Sequence, residues 1–231
     1  MAFIAAGMSF DSLARILRAA ALLSPNAWES SGAGDDAKKP AAGGPGDLSS
    51  DLHELFKLLH DRKIAYLLVG GVALLKYVDG RNTEDIDLVV SVAAMQALPE
   101  IVIADRNENF AHGHFRGVRV DLLLASNPVF KLAQDQYATR HRFGEFEVPC
   151  ATVDGLALLK LYALPDLYAQ GKLQRALLYE NDLAMLCQKH KPDLKMLLSV
   201  LRRHVDAGPF QELIRIADEI EARVARMTGR R

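Results

Sequence analysis

The sequence predicts an α+β fold: a mixed sheet flanked by helices, followed by a small helical C-terminal region. Three observations predict it. Short apolar runs bounded by Gly, Asn and Asp alternate with amphipathic stretches up to about residue 125. Beyond Pro128 the chain changes character, and the mixed pattern gives way to a helical one with a boundary near residues 140–150. Half of the 231 residues are apolar and a quarter are charged, which suffices for an ordinary globular core.

Ser9–Leu22 reads as a short amphipathic helix, and Ser24–Ser49, rich in Pro, Gly, Ser, Asp and Ala, reads as a flexible linker. Asp51 and Glu54 fit a capping box ahead of a helix whose apolar face is Leu52, Leu55, Phe56, Leu58 and Leu59. Ile64–Val69 reads as a strand, Gly71–Tyr77 as a helix and Asp85–Val90 as a second strand. Ser91 caps a helix to about Leu98. Phe110–Phe115 and Val118–Leu124 read as strands joined at Gly117 in a hairpin. Thr152–Leu164, Leu173–Lys189, Pro192–His204 and Phe210–Met227 read as helices. The expected division is 1–50 for the helix and linker, 51–148 for the mixed α/β core and 149–231 for the helical region.

A net charge of −1 excludes a protein that holds nucleic acid by bulk charge. The two cysteines, Cys150 and Cys187, make neither a metal spacing nor a disulfide framework, which points to a reduced, cytoplasmic setting. No apolar run reaches the roughly 18–20 residues that span a bilayer. Asp11, Arg15 and Arg18 interrupt any signal-peptide core.

The chemistry concentrates in Leu67–Val90, LLVGGVALLKYVDGRNTEDIDLVV. Asp85 and Asp87 lie two apart on a strand, so their side chains leave the same face. Paired carboxylates repel and lose hydration unless a cation sits between them, and a hard divalent ion such as Mg²⁺ suits oxygen donors. Gly70 and Gly71 precede a helix and bare backbone N–H groups to an anion. Asp121, in a run of valines and leucines, is a third acidic candidate; its alternative is an ion pair with Arg119 or Arg116. His112 and His114 alternate on a strand with no third ligand at metal spacing and read as polar strand residues. Arg140-His141-Arg142, Lys172 with Arg175, and Arg202-Arg203-His204 read as solvated basic faces.

Gly-Gly, a helix, Arg-x-Thr-x-Asp-Ile-Asp-Leu and a later strand Asp resemble the polymerase-β-like nucleotidyltransferase superfamily. The resemblance implies a nucleotidyltransferase-fold sheet, two Mg²⁺ ions (or Mn²⁺) held by Asp85, Asp87 and Asp121, and an NTP substrate. Val72 follows Gly71, so the hydroxyl of the Gly-Ser form is absent; backbone N–H groups then hold phosphate with Arg81 or Thr83. The later segments VPCATVDGLALLKLYAL and YENDLAML are similar to AbiEii-like nucleotidyltransferases, toxins of type IV toxin–antitoxin pairs. That similarity implies site roles for Lys160 and Asp182, a transfer-RNA 3′ end as acceptor and an antitoxin protein as partner. Asn181 departs from the Lys or Arg that usually precedes this Asp. The rival acceptors are a protein hydroxyl or an aminoglycoside-type small molecule; a catalytically silent nucleotide-binding module is the rival class.

Overall fold

The computed structural model describes residues 7–23 and 48–229. The linker expected at Ser24–Ser49 lies outside the described residues, except that Leu48 and Ser49 already belong to a helix. The α+β expectation is met by seven strands in one mixed sheet with helices around it. Helix α1 (Phe10–Leu23) precedes helix α2 (Leu48–Asp61), strand β1 (Tyr66–Leu68), helix α3 (Gly70–Leu74) and strand β2 (Asp85–Val90). Helix α4 (Val92–Gln96), strands β3 (Val102–Arg106), β4 (Phe110–Phe115) and β5 (Val118–Leu124) and helix α5 (Pro128–Gln136) follow. Strands β6 (Ala138–Phe143) and β7 (Phe146–Ala151) complete the sheet. Helices α6 (Val153–Ala169), α7 (Leu173–His190), α8 (Leu194–Leu201) and α9 (Ala207–Met227) end the chain.

The strand order is β3-β4-β5-β2-β1-β7-β6. Central strands β2 and β5 run parallel, with Asp87 beside Asp121 and Leu88 beside Leu122. Both are rich in residues buried on both faces, which is why they read as continuous apolar runs. β4 and β5 form the expected hairpin through Arg116 and Gly117, with Arg116 in the left-handed region at φ 51°. β7 lies parallel to β1 through Leu68 and Cys150, and β6 pairs with β7 at the edge.

Helix α1 packs on α2, where Phe10 meets Phe56 at 5.7 Å between ring centroids, and Met8 bridges to Phe143. The capping box expected at Asp51 and Glu54 is corrected. Helix α2 starts at Leu48, so Asp51 stands inside it and is buried. Asp51 Oδ2 accepts from the backbone N–H of Gly117 at 3.2 Å, and Arg116 reaches both Asp51 and Glu54. Asp51 thus ties α2 to the β4–β5 turn rather than capping its own helix. The helix ending expected at Leu164 is also corrected. α6 continues through Pro165 to Ala169, because Leu164 and Leu167 are buried on it; that packing outweighs the one backbone hydrogen bond proline removes.

Replacing Asp51 by Ala removes the acceptor of the Gly117 N–H, which belongs to an exposed turn residue that water can reach. Urea unfolding of Asp51→Ala is expected to show a loss of about 0.5–1.5 kcal/mol. A loss within error of zero would show that the contact does not hold the turn.

Candidate active site

The registry of β2 and β5 decides the site. Asp85 and Asp87 project from alternate positions of β2, and parallel pairing sets Asp121 of β5 directly beside Asp87. One carboxylate oxygen from each of the three lies within 4.8 Å of the others. Asp85 and Asp87 are half-buried and Asp121 is buried.

Gly70 and Gly71 form the opposing wall. Gly70 sits at φ 63°, and a Cβ there would run into the Asp87 carboxylate. A Cβ on Gly71 would meet the Thr83 side chain. Both glycines are therefore required by closeness of approach as well as by backbone conformation. They open the first turn of α3, whose N–H groups have no partner within the helix. The Thr83 hydroxyl lies 3.2 Å from Asp85 Oδ1 and 3.4 Å from the Asp85 carbonyl oxygen, and donates to that pair.

Burial pushes the Asp87 carboxyl up to about 8, and the charges of Asp85 and Asp121 add to the shift. The Asp85 carboxyl is raised by burial and then by Asp121. Burial also pushes Asp121 up, but its hydrogen bond to His112 and the charges of His112, Arg175 and Arg119 together bring it below the usual carboxylate range. Repulsion of this kind is what a shared cation relieves. The donor set is all hard oxygen, which fits Mg²⁺ or Mn²⁺ and lacks the sulfur and nitrogen ligands typical of zinc.

Arg81, Lys160 and Asp182 form an adjoining trio. Asp182 of α7 is fully buried and accepts from Lys160 Nζ of α6 at 2.7 Å. It also accepts from Arg81 Nε, at 3.0 Å to Oδ1 and 3.3 Å to Oδ2. The buried Lys160 ammonium lies 4.3 Å over the Tyr179 ring, and its charge reaches Asp87. Two cations against one anion leave one positive charge beside the carboxylate cluster.

The structure thus brings Gly70, Gly71, Thr83, Asp85, Asp87 and Asp121 together, with Arg81, Lys160 and Asp182 alongside. Neither arginine considered for Asp121 pairs with it: Arg119 binds Glu84 at 3.0 Å, and Arg116 turns to α2. Its partner is His112, at 2.8 Å. His112, expected only as a polar strand residue, is thus a site neighbour that the sequence reading does not assign, although the signal is present. A two-residue hairpin turn at 116–117 sets His112 opposite Asp121 by counting. Arg175, expected on a solvated basic face, stands close enough to the cluster for its charge to act on all three carboxylates. Its side chain is exposed and lies 5.9 Å over the Tyr179 ring.

No family model matches the chain, and no curated protein matches it. Solved structures do. The solution structure of the antibiotic-resistance factor ANT(2″)-Ia is 11% identical over 79% of this chain and 97% of that one, with a TM-score of 0.45. A crystal structure of ANT(2″)-Ia with adenylyl-2″-tobramycin is 12% identical over 75% of this chain and 97% of that one, with a TM-score of 0.44. An antigenic nucleotidyltransferase-like protein from Paracoccidioides brasiliensis is 16% identical over 72% of this chain and 91% of that one, also at 0.44.

The raised Asp87 carboxyl sets a pH dependence. The unfolded chain ionises near pH 4, whereas the folded group resists ionisation up to about 8. Metal-free stability therefore falls as pH rises between those values. Asp87→Asn removes that cost, so its melting temperature without metal should exceed wild type, by more at pH 8 than at pH 5. Added Mg²⁺ should raise wild type and leave the variant nearly unmoved. An equal metal response in both would contradict the role given to Asp87.

Proposed function

We propose that the protein is a divalent-metal-dependent nucleotidyltransferase that moves a nucleoside monophosphate from an NTP to a hydroxyl. The observation that carries this reading is the meeting of Asp85, Asp87 and Asp121 at one point facing Gly70 and Gly71. Asp85, Asp87 and Asp121 hold Mg²⁺ or Mn²⁺, which when bound supplies positive charge against the triphosphate and the departing pyrophosphate.

The chain's own groups do the rest. Backbone N–H groups of Gly70 and Gly71 and the side chain of Thr83 receive the phosphates. Arg81 and Lys160 draw the triphosphate with the positive charge that Asp182 leaves uncompensated. The acceptor hydroxyl attacks the α-phosphorus, and its proton passes to the Asp121 carboxylate. A new P–O bond forms as the bond to the β-phosphate breaks, and pyrophosphate leaves. Positioning and charge neutralisation supply most of the rate gain.

In this reading residues 51–148 are the nucleotidyltransferase core and 149–231 the helical region that brings Lys160 and Asp182. The acceptor is the 3′ end of a transfer RNA. Two things support it: the similarity to AbiEii-like toxins, and the exposed Lys172 and Arg175 where α7 begins near the site. An antitoxin protein that covers the site is the matching regulatory partner. A reduced, cytoplasmic setting suits Cys150 and Cys187, both buried and free. Among the described residues no helix is long and apolar enough to cross a membrane.

The test is incubation with each α-³²P-labelled NTP, Mg²⁺ and total cellular RNA, resolved on a denaturing gel. Wild type should label a band of transfer-RNA size, and Asp85→Ala should reduce it about a hundredfold or more. Label in a protein band instead would replace the acceptor but keep the chemistry. No transfer to RNA, protein or aminoglycoside would overturn the enzyme reading.

A further inference from the structure

Asp121 has two carboxylate oxygens, and one of them is already engaged. His112 Nδ1 sits 2.8 Å from Asp121 Oδ1. An ionised carboxylate offers no proton, so the ring nitrogen donates. The register that produces this contact is the same one that builds the cluster. β5 carries Asp121 between Asp87 on one side and His112 on the other. The three side chains form one row across three neighbouring strands.

The imidazole is itself held. Its ring lies nearly parallel to Phe110, at 6.3 Å between centroids and 6° between planes. Phe110 meets the Phe130 ring of α5 edge-on at 5.3 Å. Phe130 meets Tyr162 of α6 at 5.9 Å. The Tyr162 hydroxyl accepts from Asn127 Nδ2 at 3.0 Å. A chain of rings thus runs from the Asp121 carboxylate to the helix that carries Lys160.

This matters because the terminal torsion of an Asp side chain is broad and two-fold, so an unrestrained carboxylate turns freely. A hydrogen bond to Oδ1 stops that turning and holds the carboxylate in one orientation toward the cluster with Asp85 and Asp87. Burial alone does not explain the pair, since the His112 side chain is 44% exposed. We infer that His112 is a positioning residue for Asp121, fixing the carboxylate so that one oxygen stays on the shared cation site. The inference rests on Asp121 being a metal ligand, as proposed above.

The test is Mn²⁺ binding to the whole protein at pH 8, measured by calorimetry, with no nucleotide and no turnover. His112→Phe keeps the ring against Phe110 but removes the donor. His112→Gln carries an amide that reaches past the Nδ1 position. His112→Asn places an amide nitrogen close to where Nδ1 sits. Weaker Mn²⁺ binding by about ten- to a hundredfold is expected for Phe and Gln, with Asn restoring affinity to within about threefold of wild type. Should Phe fail to fold, the Gln and Asn pair still decides the matter. Wild-type affinity in both Gln and Phe variants, or an Asn variant as weak as Gln, would overturn the role of His112 alone. No Mn²⁺ binding by wild type would instead overturn the metal site and the role of His112 with it.

Discussion

Like charge held close is the constraint on which the rest of this structure depends. Three carboxylates whose oxygens lie within 4.8 Å repel one another, and partial burial removes the water that would screen them. Such a cluster costs stability in the absence of a cation. The parallel register of β2 and β5 puts Asp87 beside Asp121, and Gly70 gives up its side chain so that the Asp87 carboxylate can approach. A sheet optimised for stability alone would place apolar residues here, as it does at Ile86, Leu88, Val120 and Leu122.

The helical half answers that constraint with opposite charge. Asp182 is fully buried, and its two cationic partners come from distant parts of the chain: Arg81 from the loop before β2 and Lys160 from α6. Buried ion pairs seldom stabilise more than apolar packing would, so stability is a poor reason for them. Position is a better one. The trio locks the loop carrying Arg81 and Thr83 against α6 and α7, and it leaves net positive charge next to a cluster of net negative charge. Under the proposed function, a triphosphate with its metal, which carries charges of both signs, would bind between the two.

Much of this was legible in the sequence, and the reasons are specific. β2 and β5 are short apolar runs interrupted by Asp, and an Asp in such a run demands an explanation. The Gly-Gly turn and the Asp pair followed from spacing, Asp121 from its place among valines and leucines, and the joining of the three at one metal site from the resemblance to the nucleotidyltransferase superfamily. Strands β3 and β6 did not follow, because each lies at an edge with at most one buried residue and shows no apolar alternation. Helix α5 was missed although Asn127 caps it, with hydrogen bonds to Val129 and Phe130, and Pro128 stands at its first turn, a start signal in plain view. Asp51 resembled a cap because sequence spacing is local, whereas its partners, Arg116 and Gly117, are more than sixty residues away. His112 needed the hairpin register to be counted through, and a lone polar residue on a strand did not prompt the count.

The most direct test of the central claim is anomalous diffraction from crystals grown with Mn²⁺, collected at the manganese edge. The account predicts an anomalous peak bounded by Asp85, Asp87 and Asp121, on the side facing Gly70 and Gly71. Manganese bound elsewhere, with those three carboxylates bare, would contradict it.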